Sequence, residues 1–543
     1  MDIQRLFLFL IFSFSLVLVW DGWQKFHAPQ EVAQQTSPSN TPIQRLGNKK
    51  EAETGQISQQ AVSTVEGKII TVKTDTMLVE INTLGGDIQR LSFLKQPDGL
   101  DKSKPFSLFE KGANTHNYTA QSGLLGFDMP SHNSLFVSEH DSYEFTDAAE
   151  KIEVRLTTVN HAGIKVAKLF TFHKGSYLID LSYDVDNGTT EPVATSAYFQ
   201  LVRDSKEPAG GIRFVPTYTG AAVFTEKEKL QKVEFSSIEK DKAKYPKESD
   251  NGWIGILQHY FVAAWLPKEH SDREYFTRKL DNGLFAVGVI VPIQVTTPKG
   301  NGSVTVSLYA GPAISSLDNI APGLGLSVDY GWLTIIAKPM FWLMTWLHGW
   351  VQNWGVAIIL LTFFIKLLFF PLSAASYRSM AKMRVVAPKL EKIKKQYGDD
   401  REKLNQAMME LYKTEKINPL GGCLPVLIQI PVFIALYWSI LESVEMRNAP
   451  FFGWIHDLSA ADPYYILPVI MGASMILQSK LNPAPPDPMQ AKLMKIMPVI
   501  FSVVFFFFPA GLVLYSIVNN ILSIGQQWYI TRGLEAQGLA DKH

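Results

Sequence analysis

The chain has 543 residues, with 51 Lys and Arg balancing 51 Asp and Glu. Zero net charge singles out no class of partner, and this length implies several domains or a large membrane protein. The lone cysteine, Cys423, excludes an intramolecular disulfide. Hydrophobicity is uneven: residues 24–330 read as soluble, whereas 331–531 are dominated by apolar runs.

Leu6 to Trp20 is apolar and follows Arg5. No small-x-small cleavage site comes after it, and Trp20 and Trp23 suit a membrane interface. An uncleaved transmembrane anchor over 1–23 is favoured over a cleaved signal peptide. Residues 24–65, rich in Gln, Ser, Thr, Pro and Asn, lack a hydrophobic period and read as a flexible linker.

From 66 to 330 the period becomes two. Met77, Val79 and Ile81 alternate with their neighbours, as do Ile152, Val154 and Leu156, and Val304, Val306 and Leu308. Turn signals such as Asp186-Asn187-Gly188 and Gly311-Pro312 bound these runs. The pattern predicts a large exported antiparallel β-sandwich, with one late helix over Ile314–Leu326. His116, His132, His140, His161, His173, His259 and His270 are scattered without metal-ligand spacing, and no catalytic acid pair stands out. The domain therefore reads as a folding, spacing or docking module rather than an enzyme.

The remainder, 331–535, reads as a membrane α-helical bundle. Residues 331–352 carry Trp332, Trp342, Trp346 and Trp350, with Pro339 breaking the run; a helix lying on the interface is expected. Spans are expected at 355–372, 423–441, 464–479, 493–508 and 512–529, the third broken by Pro468 and Gly472. With the anchor this makes about six. Several fall short of ~20 residues, which implies tilt or a thinned bilayer. Between the first two of these spans, 373–418 is strongly basic and has two apolar helical stripes on either side of Gly398-Asp399-Asp400, predicting a helical hairpin. The excess of basic residues places this hairpin in the cytoplasm. The β-domain then lies outside, and both termini, including the short tail 536–543, lie inside.

Lys366 interrupts the most apolar stretch, Gly355–Leu372, with Thr362 one turn before it. A mid-bilayer lysine costs about 2.5–3.5 kcal/mol on insertion scales. Gln429, Tyr515, Ser516, Asn519, Asn520 and Gln526 add polar groups in other spans, and no Asp or Glu lies in a span to pair with the lysine. A wet cavity open to the cytoplasm is favoured over simple snorkelling, because these groups also need partners. Such a cavity would draw a polar or acidic segment partway into the membrane. Ile430, Phe433, Leu436 and the run Phe505–Phe508 would pass its apolar part to lipid. No nucleotide motif is present, so apolar transfer would supply the driving force.

Several stretches carry a specific resemblance. They are Tyr377-Arg378-Ser379-Met380-Ala381-Lys382-Met383-Arg384, Asn418-Pro419-Leu420-Gly421-Gly422-Cys423, Gln429-Ile430-Pro431, Trp454-Ile455-His456-Asp457-Leu458-Ser459, Asp462-Pro463-Tyr464-Tyr465, Asp487-Pro488-Met489 and Gly511-Leu512-Val513-Leu514-Tyr515. Together they make 331–535 resemble the YidC/Oxa family of membrane insertases, and its Gram-negative branch in particular. The resemblance implies a sugar-mutarotase-like supersandwich without sugar chemistry. It also implies a hydrophilic groove around one basic residue, here Lys366 where most members carry Arg, so the charge stays and the planar fork is lost. Substrate contacts are implied at Lys366, Thr362, Gln429, Ile430, Pro431, Phe433, Phe505, Phe506, Tyr515 and Ser516, the last standing where relatives carry a groove Tyr. Implied partners are nascent membrane proteins, the lipid bilayer, the Sec translocon and the ribosome, the last through the hairpin; no cofactor, metal or DNA is implied. Topology alone also accounts for the hairpin's charge. Two other classes compete with an insertase and chaperone: a channel or transporter, which would call for inverted repeats that are not evident, and an anchored sugar-binding or epimerising protein.

Overall fold

The computed structural model describes residues 67–99, 101–112, 116–146, 149–206, 218–293, 298–398, 400–415, 424–481 and 488–536. The expected anchor over 1–23 and linker over 24–65 lie outside the described residues, as do 418–423 and most of the tail.

Two sheets, of ten and nine strands, form a β-sandwich. Strands with one wet face keep the period of two: in Lys151–Val159, Ile152, Val154 and Leu156 are buried between exposed neighbours. Trp253–Gln258 and Phe261–Pro267 are buried throughout. Their second face is covered by Leu317, Leu324 and Val328 from the segment that leads out of the sandwich, and a strand covered on both faces reads as a continuous apolar run. Pairing among the described strands is antiparallel with one correction to the expectation: Ile69–Lys73 runs parallel to Ser142–Glu144. The expected helix at 314–326 is instead two 3-10 turns, Ser315–Asn319 and Leu324–Ser327. Pro322 and Gly323 separate them, and Gly323 takes φ 72°, which ends any helix. A short helix, α1 (Phe235–Glu239), was not foreseen.

Nine helices are described in all. After α1 come α2 (Thr334–Val351), α3 (Trp354–Leu368), α4 (Phe370–Tyr397), α5 (Arg401–Thr414), α6 (Leu424–Glu442), α7 (Ile466–Leu481), α8 (Pro488–Val504) and α9 (Ala510–Ala536). Pro339 does not break α2, nor do Pro468 and Gly472 break α7. Pro468 sits in the first turn of its helix, where an N–H has no intrahelical partner to lose; Pro339 lies six residues into α2 and the helix runs through it. Residues 355–372 are not one straight helix. The chain bends 66° between α3 and α4. Phe369 closes α3 with its N–H on Ile365 O, and Pro371 lacks the N–H that would continue the ladder. The 493–508 stretch also divides, into the end of α8 and a 3-10 turn at Phe505–Phe507. No single described helix is long and apolar enough to cross a membrane alone; the bent α3–α4 pair passes that test together.

The apolar core runs unbroken from sandwich to helices. One cluster holds Phe224, Trp253 and Val262 together with Phe341, Ile358, Leu436 and Tyr515. At this junction His259 Nε2 lies 3.1 Å from the Leu441 carbonyl of α6. The Arg447 guanidinium lies over Phe106 and Phe261, 5.3 and 5.7 Å from their centroids.

Inside the sandwich, Asp87 of one sheet and Lys168 of the other are both buried. Lys168 Nζ donates to Gly85 O at 2.9 Å. Burial pushes the Asp87 carboxyl up to about 7, against the opposing pull of Lys168, and pushes the Lys168 ammonium down to about 8. An acid raised in the folded state stabilises fully below its unfolded value near 3.8, and this contribution is lost as pH climbs to about 7. Half-buried His132, held down from 6.5 to about 4, acts in the opposite sense over most of that window. Asp87→Asn removes only the first effect. Its stability relative to the parent in denaturant titration of the full chain should therefore rise from pH 4 to pH 7, by on the order of 3 kcal/mol. A difference that stays flat with pH would count against a carboxyl held neutral by burial.

Candidate functional site

The site is built on α3, α6 and α9, with α4 closing it beyond the bend. Asn353 caps α3, its side chain accepting from Val356 N–H at 3.0 Å. Gly355, Ala357, Ile358, Leu361 and Thr362 then form the buried face. Gly355 is required by contact: a Cβ there would stand 2.1 Å from the Phe451 ring. Lys366 falls in the last turn of α3, half-buried, where the helix C-terminus favours a cation.

The Lys366 ammonium donates to Ser523 Oγ at 2.6 Å. No carboxylate among the described residues lies within ion-pair distance of it. Ser523 Oγ in turn donates to Asn519 O at 2.7 Å. Gln526 Nε2 lies 3.5 Å from the Lys366 carbonyl, and its Oε1 is buried without a partner. Tyr515, Asn519, Ser523 and Gln526 recur at i, i+4, i+8 and i+11, so they share one face of α9 over about 16 Å. The neighbouring stripe, Ser516, Asn520 and Gln527, serves packing: Asn520 Nδ2 donates to Ser474 Oγ of α7 at 3.0 Å, and Gln527 Nε2 to Leu481 O at 2.9 Å.

At the other end of the first stripe, Gln429 of α6 donates to the Tyr515 hydroxyl. Tyr515 is buried and its ring lies 6.4 Å from Phe433, which lies 6.0 Å from Phe505. Gln429, Phe433, Phe505 and Tyr515 thus form one group. Phe506 turns away to Tyr465, at 5.2 Å. Ile430 is exposed and Pro431 half-buried on α6, so both reach the surface beside this group.

Two expected residues are placed differently. Thr362 is fully buried and donates to Ile358 O at 2.7 Å. Ser516 is buried and donates to Leu512 O at 2.9 Å. Both hydroxyls give their proton to a carbonyl of their own helix, and neither is brought to Lys366. Sequence reasoning missed Ser523 as the partner of the lysine and Tyr377 as a neighbour of that serine. Ser523 was discoverable from its place on the Tyr515–Asn519–Gln526 stripe. Tyr377 was not, because only the bend after Leu368 brings α4 back onto α9.

On the sandwich, a cavity of about 650 Å³ opens on the outer face of the nine-stranded sheet, lined by Arg155, Lys165, Asp184 and Ser303 among others. Its lining holds no aromatic ring and no histidine, so it offers a sugar neither a stacking face nor an imidazole base.

Comparison with known proteins covers both halves of the chain. The family model described as the YidC periplasmic domain matches residues 69–343, and that described as the 60Kd inner membrane protein matches 346–537. The membrane protein insertase YidC of Nitrosospira multiformis is 53% identical, over 98% of each chain. That of Aromatoleum aromaticum is 50% identical, over 99% of each. A crystal structure described as an active YidC insertase with its first transmembrane domain resolved is 19% identical, covering 86% of this chain and 95% of that one at a TM-score of 0.40. Relatives half-identical from end to end, and family models that meet across the sandwich and the helices, lead to one conclusion: this chain belongs to the YidC family of membrane protein insertases.

Proposed function

We propose that the chain inserts newly made membrane proteins through a groove whose charged floor is Lys366 and whose apolar lip is Ile430, Pro431, Phe433, Phe505 and Phe506. The observation that carries this reading is the state of the Lys366 ammonium. It is half-buried among apolar helices, and its described protein partner is a neutral hydroxyl 2.6 Å away. An ammonium has three donors, so two remain for water or for an incoming acidic or polar segment. A buried cation without a carboxylate is costly to keep, and such a client segment lowers that cost while it is bound. The hydrophobic part of the client then leaves past the exposed Ile430 side into lipid, driven by transfer of apolar surface from water.

In this reading α3, α6, α7, α8 and α9 cross the bilayer together with 1–23, and both termini are cytoplasmic. The hairpin α4–α5 is cytoplasmic as well, in line with its basic excess. Its two helices close on Val386, Leu390, Met408 and Leu411, which leaves the lysines outward. Helix α2 lies on the outer interface: Trp342, Trp346 and Trp350 are exposed while Phe341, Met344 and Leu347 are buried. The short α7 and α8 imply tilt or a locally thinned membrane. The chain works alone or beside the Sec translocon, as a chaperone as well as an insertase, and the ribosome delivers clients at the hairpin. It acts without a covalent step.

Two measurements test this. In proteoliposomes, Lys366→Ala should lower insertion of a client with an acidic translocated segment by about ten-fold, the scale of one charge-assisted contact. Lys366→Arg should retain most of the activity, since the charge is kept. Parental activity of Lys366→Ala would mean that the lysine only snorkels. Separately, a photo-crosslinker at position 430 or 506 should capture ribosome-bound chains at intermediate lengths and lose them on release. Absence of client adducts at both positions would place the route elsewhere.

A further inference from the structure

Ser523 is committed on two sides. A serine hydroxyl has one donor and two acceptor sites. Its proton goes to Asn519 O at 2.7 Å. One lone pair accepts the Lys366 ammonium at 2.6 Å. The Tyr377 hydroxyl of α4 interacts with the same side chain, and its ring packs beside it against Ile530 of α9. With its proton committed to a carbonyl, Ser523 is an acceptor for the ammonium and not a nucleophile activated by an amine.

The three residues come from three helices. Lys366 lies two residues before the end of α3, Tyr377 two turns into α4, and Ser523 on α9. The node therefore spans the 66° bend. Around it Ala374, Tyr377 and Ile530 are buried together, with Phe370 and Leu534 packed on them. A lysine side chain has four rotatable carbons and is a loose point charge when unheld. Here one hydroxyl holds its tip to α9, and the same hydroxyl ties α9 to the start of the basic hairpin.

We propose that Ser523 and Tyr377 are positioning residues for Lys366. Together they hold the ammonium at one depth in the groove and fix the direction in which α4 leaves the bend, so that an acidic client segment meets a pre-placed charge. The proposal rests on the groove reading above. Ser523→Ala frees the ammonium, whereas Tyr377→Phe removes the hydroxyl beside Ser523 and keeps the ring packing.

The test uses the full-length chain in proteoliposomes, with two clients that differ only in Asp or Asn within the translocated segment. Membrane abundance is matched between variants. Ser523→Ala and Tyr377→Phe should each lower insertion of the Asp client by roughly five-fold and leave the Asn client unchanged. Ser523→Thr, which keeps the hydroxyl, should restore it. Ser523→Ala combined with Lys366→Ala should be no worse than Lys366→Ala alone, because residues acting through one charge are not additive. An equal fall for both clients, or full additivity in the double variant, would reduce Ser523 to helix packing and overturn the proposal. If Lys366→Ala is impaired while Ser523→Ala matches the parent, positioning fails and the groove reading stands. If Lys366→Ala itself matches the parent, the groove reading fails and takes this inference with it.

Discussion

A single ammonium in an apolar helix sets the terms for the helical half of this protein. Lys366 lies where a charge is expensive, and no described carboxylate neutralises it. The surrounding structure meets the need with neutral oxygen: Ser523 on α9, itself held by the Asn519 carbonyl. That solution satisfies the cation without discharging it. A buried ion pair would have locked the charge in place and left little affinity for an incoming carboxylate. The polar stripe of α9 and the bend between α3 and α4 bring that one hydroxyl within reach of the one ammonium.

The apolar half of the site follows a different rule. Phe433, Phe505 and Tyr515 pack into one group, while Ile430 is left exposed and Phe506 turns to Tyr465. The buried rings form a firm wall, and the outward residues provide a greasy edge. Gln429 links this wall to the polar stripe through the Tyr515 hydroxyl. The lysine and the aromatic wall thus meet opposite ends of one face of α9, at Ser523 and at Tyr515.

The sandwich is more than an appendage on a tether. Its core continues into the helices through Trp253, Leu324 and Tyr330 to Phe341 and Leu436. The Arg447 guanidinium sits against Phe106 and Phe261, and His259 reaches the Leu441 carbonyl. These contacts join the sandwich to the C-terminal end of α6, the helix that carries Gln429, Pro431 and Phe433. The outer-face cavity, by contrast, lacks the rings and the imidazole that sugar chemistry would use.

Much of this was legible in the residues alone. Period-two alternation marked strands such as Lys151–Val159, because one face is wet and the other dry. The apolar runs marked the helices, and Lys366, Gln429, Phe433, Phe505 and Tyr515 stood out as polar or aromatic groups placed against their surroundings. Local sequence determines these things because periodicity and transfer free energy are properties of neighbouring side chains. Only the tertiary structure decided the rest. Thr362, Ser516 and Ser523 each give their proton to a carbonyl one turn back in their own helix, yet of the three it is Ser523 that also meets the lysine; nothing local distinguishes them. The parallel pairing of Ile69–Lys73, the sealed second face of Phe261–Pro267 and the return of Tyr377 onto α9 depend on residues far apart in the chain. A hydrogen-bond partner is chosen by which helices pack side by side, and that choice is made by the whole fold.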